Sequence, residues 1–178
     1  MITVLSGTNR QDNRTRLLAR HYVRQLQDLG AEAQLLDLAD LDNIHYVGAE
    51  YSATALSPEL LSIQKQYVLG AGKLVIFSPE YNGGFPGILK LFIDSISLNA
   101  YRENFTGKVI GLVGVASGRA GNLRGMEHLA GVLAYLGAWI LPNKLPVSNV
   151  EALLTDDQLT DTETIAALKT HAKQLIAA

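Results

Sequence analysis

The chain has 178 residues, 48% of them hydrophobic and 18% charged, with a formal net charge of -2 and no cysteine. That length predicts one domain, over residues 1–178, with a substantial core. The near-balanced charge gives no electrostatic reason for a nucleic-acid partner or an anionic membrane surface, and the lack of thiols excludes disulfides, thiolate catalysis and thiolate-held metal centres.

The chain opens on Ile2–Ser6, an apolar run with no basic leader before it, which predicts a cytoplasmic protein. Leu18, Tyr22, Leu26 and Leu29 then share one helical face, with Asp12 or Asn13 available as the cap and Gly30 as the stop. A second apolar run follows at 33–36. Residues 41–56, with Tyr46 and Tyr51, make a connection too long for a tight turn, and Ser57-Pro58-Glu59 starts a helix over 57–69. The run 74–78 has no polar interruption, as in a strand covered on both faces. Pro86 stands where a first helical residue is favoured, and Ile88, Leu89, Phe92 and Ile93 recur with helical period. A fourth run at 109–114, a helix over 123–136, a fifth run at 138–141 and a last helix over 157–177 complete the pattern. The most apolar stretch, 129–142, carries two glycines and is shorter than the ~20 residues of a membrane span.

Short strands alternating with longer helices predict an α/β fold, a five-stranded parallel sheet between helix layers. The order 2-1-3-4-5, the flavodoxin-like winding, places right-handed crossovers on both faces. Three loops then meet at the carboxyl edge of the sheet. In the first, Thr8, Asn13 and Thr15 offer neutral donors and Arg10 a charge beside a helix start, which suits a phosphate monoester; Asp12 and Asn13 acting only as helix caps is the alternative. In the second, Tyr81 offers an aromatic surface, Asn82 a donor and an acceptor, and the glycines let backbone approach a flat ring. Glu80, a single carboxylate in that turn, reads as a backbone cap or a solvated group. The third loop, with Ser117, Gly118 and Arg119, repeats the small-residue pattern. His21, His45, His128 and His171 are dispersed, so no metal site is expected.

Three motifs carry a resemblance: Gly7-Thr8-x-Arg10-x-x-Asn13-x-Thr15, then Pro79-Glu80-Tyr81-Asn82-Gly83 followed by Pro86-Gly87-x-Leu89-Lys90, then Ser117-Gly118-Arg119. Over nearly its whole length the chain resembles the NADPH-dependent FMN reductase family, flavodoxin-like proteins that include chromate and quinone reductases. The resemblance implies FMN as cofactor and NADPH, or NADH, as hydride donor. It implies phosphate contacts from Thr8, Arg10, Asn13 and Thr15, and ring contacts from Pro79, Glu80, Tyr81, Asn82 and Gly83. The family more often has serine at the positions of Thr8, Asn13 and Gly84. Hydride transfer between stacked rings calls for no side-chain acid or base, so no catalytic residue is expected. Backbone N–H groups of the second or third loop, with Arg119, are candidates to stabilise the reduced ring. A small-molecule electron acceptor and a homodimer or homotetramer complete the expectation. An FMN electron carrier without reductase activity is the alternative, but carriers that dock basic partners are strongly acidic and this chain is not.

Overall fold

The computed structural model describes residues 1–41, 52, 54 and 56–178. Most of the long connection at 41–56, including Tyr46 and Tyr51, lies outside the described residues.

Strands β1 (Ile2–Ser6), β2 (Ala33–Asp37), β3 (Lys73–Pro79), β4 (Val109–Val115) and β5 (Trp139–Ile140) form a parallel sheet in the order β2-β1-β3-β4-β5, as the alternation of runs predicts. Side chains alternate between two cores. Leu74 and Ile76 of β3 join Leu5, Leu36, Ile110 and Leu112 on one face. Val75 and Phe77 join Val4, Val113 and Val115 on the other. A strand buried on both faces needs apolar residues at every position, hence its unbroken hydrophobic run.

Helices α1 (Arg14–Asp28) and α6 (Thr162–Ala177) cover the second face. Helices α2 (Pro58–Ile63), α3 (Gly87–Ile96) and α5 (Leu123–Tyr135) cover the first, and α4 (Tyr101–Phe105) is a short turn beside them. Leu18, Tyr22 and Leu26 are fully buried. Of the two candidate caps for α1, Asn13 is used: its side chain accepts from the Arg16 N–H. Among the described residues no helix is long and apolar enough to cross a membrane.

Four boundaries differ from the sequence-based expectation. The helix over 57–69 has the predicted start, with Ser57 Oγ accepting from Leu60 N at 3.1 Å, but Gln64–Leu69 is π-helical. Apolar spacing over so few turns does not separate the two windings. Pro86 caps α3 rather than occupying its first turn, its ψ of 141° being extended. The last helix starts at Thr162, not 157, because Asp161 accepts from Thr164 N at 2.7 Å and the preceding residues pair as a hairpin. That hairpin joins β7 (Leu154–Thr155) to β8 (Gln158–Leu159) through Asp156 and Asp157, both at positive φ. The fifth strand is short, and a separate strand β6 (Leu145–Val147) resumes pairing with β4 farther along. Pro142 has no N–H for the ladder and marks the break; Pro146 is tolerated within β6 because that strand lies at the edge.

Beneath α1 and α6, Tyr22 and His171 are wholly buried and share a 2.7 Å hydrogen bond between the phenol oxygen and Nδ1. His171 Nε2 has no partner, and the imidazole lies against Gly111, where a Cβ would come within 2.6 Å of its ring. Burial pushes the His171 pKa down from 6.5 to about 4. The unfolded chain therefore takes up a proton near pH 6.5 that the folded chain refuses until about pH 4. Stability from this group is complete above that window and is lost as pH falls through it, by about 3 kcal/mol in all. Urea unfolding of His171→Gln is expected to show a shallower loss of stability between pH 6.5 and 4 than the parent chain; parallel pH profiles would refute this.

Candidate functional site

The first loop leaves β1 at Ser6 and is held to β3 by the Gly7 N–H, which donates to Phe77 O at 2.9 Å. Thr8 is buried, and its Oγ1 accepts from Arg10 N at 3.3 Å. Asn13 braces the far end: its Nδ2 donates to Arg10 O at 2.5 Å while its Oδ1 caps α1. Thr15 follows, buried in the first helical turn. Arg16 donates to Asp37 at the end of β2 and to Asp40 at 2.7 Å, fixing this turn against the neighbouring strand. Arg14 is also engaged, with Glu151 at 3.0 Å and Asp157 at 2.6 Å. Arg10 has no carboxylate partner among the described residues, and its guanidinium carbon lies 5.5 Å from the centre of the Tyr81 ring. It is the cation in this loop left to meet an anion.

The second loop is a two-residue hairpin. Tyr81 and Gly84 exchange both backbone hydrogen bonds, at 2.9 and 3.0 Å, around Asn82 (φ 51°) and Gly83 (φ 76°). Positive φ at both central positions is the type I′ turn, for which Asn-Gly is strongly preferred. The turn exposes Asn82 and sends Tyr81 back toward the first loop, where its hydroxyl meets Thr8 Oγ1 at 2.5 Å. Tyr81, expected to flank a ring, thus also ties the two loops together.

Asn122 joins the second loop to the third. At φ 60° its own backbone N–H points at Glu80, whose carboxylate accepts it at 3.2 Å. Its buried Nδ2 is shared among Ser78 O at 2.9 Å, Pro79 O at 3.0 Å and Ser78 Oγ at 3.1 Å. Glu80 N–H donates to Val115 O at 2.9 Å, closing the same junction from the other side. The third loop lies tight on β4: a Cβ on Gly114 would stand 2.0 Å from Gly121 O. Ser117, Gly118 and Arg119 are left exposed above this base.

A fourth segment, beyond β6, also arrives. Asn149 N donates to Gly118 O and Val150 N to Ala116 O, each at 3.0 Å, and Ser148 Oγ donates to Arg119 O at 2.7 Å. These bonds carry Glu151 to the rim of the first loop.

Two depressions result, sharing Glu80 and Ser117 as a common wall. One, of about 180 Å3, is lined by Thr8, Arg10, Asp12, Asn13, Arg14 and Thr15 of the first loop, by Pro79 and Tyr81 of the second, and by Val115, Ala116, Val150 and Glu151. The other, of about 330 Å3, lies between Asn82-Gly83 and 116–120. All twelve residues expected at the site border one of these two depressions. Hydroxyl groups, an uncompensated guanidinium and the start of a fifteen-residue helix make the smaller one suited to a phosphate. The larger, walled by glycine and backbone, is suited to a flat ring. The donor set therefore fits FMN. Asn122, Arg14 and Glu151 escape sequence reading: Asn122 ends a loop with no pattern of its own, and Arg14 and Glu151 are 137 positions apart. Among the described residues no group of three metal-ligating side chains comes together. A larger depression, about 620 Å3, lies elsewhere, on the outer face of α3, α4 and α5.

Comparison with known proteins agrees with this arrangement. A flavoenzyme NAD(P)H:acceptor oxidoreductase from Paracoccus denitrificans has the same fold, with a TM-score of 0.77, 21% identity, and 99% of this chain and 94% of that one covered. A 2-hydroxy-1,4-benzoquinone reductase from a Burkholderia species is 30% identical over 135 residues, 76% of this chain and 70% of the relative. An FMN-dependent NADPH-azoreductase from Staphylococcus aureus is 22% identical over 156 residues, 86% of this chain and 80% of the relative. The family model for NADPH-dependent FMN reductase matches residues 1–152, which hold all three loops and Glu151, and the chain belongs to that family.

Proposed function

We propose that residues 1–178 act as one FMN-binding domain that passes reducing equivalents from NADPH, or from NADH, to a small acceptor of the quinone or azo class. Bound FMN supplies the redox chemistry, taking a hydride from the nicotinamide and giving two electrons to the acceptor. The chain supplies position and charge. Thr8, Arg10 and Thr15, with the N-terminus of α1, hold the phosphate, and Asn13 shapes the loop that presents them. Pro79, Glu80, Tyr81, Asn82 and Gly83 border one edge of the ring, and Ser117, Gly118 and Arg119 close on the other. Backbone dipoles and Arg119 oppose negative charge on the reduced ring.

One observation carries this reading: an anion-suited depression containing the unpaired Arg10 abuts a glycine-walled one across Glu80. The acceptor class is supported by the quinone and azo substrates in the names of the two relatives. Membership of a reductase family favours an enzyme over a simple electron carrier. Anaerobic mixing of the FMN-loaded protein with NADPH is expected to bleach the flavin absorbance rapidly; no bleaching would overturn the enzyme assignment. Arg10→Ala is expected to weaken FMN about tenfold, the scale of a charge-assisted hydrogen bond, and to leave riboflavin within about twofold. Equal losses for the two flavins would refute the phosphate role.

A homodimer or homotetramer is part of the same proposal, supported by the outer depression on α3, α4 and α5. Tyr135 is 84% exposed at its rim and Tyr101 46%. Lys90 on α3 and Glu127 on α5 give its two sides opposite charges, so two-fold packing sets unlike charges face to face. Size exclusion at micromolar concentration is expected to give an assembly that Tyr135→Glu dissociates; a monomeric parent chain would overturn it. A cytoplasmic location suits an NADPH-dependent enzyme, and the net charge of -2 favours neither nucleic acid nor a membrane surface as partner.

A further inference from the structure

The phosphate-suited depression is not uniformly positive. Arg14, in the first turn of α1, lines it but is drawn aside by Glu151 at 3.0 Å and Asp157 at 2.6 Å. Glu151 itself stands on the rim, where its backbone is held by the third loop through Val150 N to Ala116 O and Asn149 N to Gly118 O. It cannot leave without disturbing that loop. All three side chains are well exposed, at 40%, 62% and 70%, and exposed ion pairs of this sort are weak. An arriving phosphate dianion thus competes with Glu151 for Arg14 and is repelled by the carboxylate that remains.

We propose that Glu151 determines flavin affinity, withdrawing Arg14 from the phosphate and adding like charge at the rim, so that FMN stays exchangeable rather than permanently held. This rests on the reading that the first loop takes the flavin phosphate. It makes the segment after β6 a working part of the site, acting on the phosphate end and not on the ring.

The test is to titrate FMN and riboflavin against the intact chain, Glu151→Gln and Arg10→Ala, at low and high salt. Glu151→Gln is expected to bind FMN about fivefold tighter, the effect of a removed carboxylate several ångströms from a dianion in high dielectric. It is expected to release FMN more slowly, and to bind riboflavin unchanged within about twofold. The gain shrinks in ~1 M salt, where the screening length is about 3 Å. The exposed, isosteric replacement leaves the fold intact, so unchanged FMN affinity would overturn the proposal, as would equal shifts for both flavins, while Arg10→Ala still separates the two. If Arg10→Ala also fails to separate them, the phosphate assignment is wrong and the proposal falls with it.

Discussion

Between β3 and β4 the candidate site depends on one buried amide, that of Asn122, which is 1% exposed and shares its Nδ2 among Ser78 O, Pro79 O and Ser78 Oγ. Those acceptors stand where β3 stops pairing and would otherwise face the interior unsatisfied, a cost of about 1–3 kcal/mol for each group left without a partner. Glu80 reinforces the junction by accepting the Asn122 N–H. The second and third loops are therefore one unit. The amide packs so closely on α5 that a Cβ on Gly125 would stand 2.1 Å from Asn122 Oδ1. Distance between the two ring-side edges is thus set by the core rather than by loop flexibility.

The first loop is coupled to that unit more lightly, through the Thr8 and Tyr81 hydroxyls and the Arg10 guanidinium over the Tyr81 ring. Both contacts involve groups that a phosphate would also address. The phosphate end is consequently the adjustable end of the site, and the ring end is rigid. Such a division suits a family in which the ring must present an open face to two different molecules in turn.

The break in the edge strand has consequences beyond the sheet. Had β5 continued without interruption past Pro142, residues 148–151 would not return to the third loop. Because pairing resumes at β6, the chain passes over Gly118 and Arg119 and delivers Glu151 beside Arg14. An apparent irregularity at the edge thereby alters the charge at the centre of function.

Much of this was legible from residue order alone. The runs at 2–6, 33–36, 74–78 and 109–114 show strands because residues buried on both faces must all be apolar, and burial of that kind is written locally. Asn82-Gly83 declares its turn by the φ values only such residues adopt readily, and the phosphate-suited composition of the first loop is contiguous. Asn13 as cap and Gly30 as stop are local as well. What residue order alone did not decide is what joins these pieces: the π-helical second half of the 57–69 helix, the resumption of the edge strand at Leu145, the partners of Asn122, and the meeting of Arg14 with Glu151. Hydrogen bonds and ion pairs between residues tens or hundreds of positions apart leave no periodicity in the chain, since their energy exists only once the sheet and its crossovers have brought the partners together.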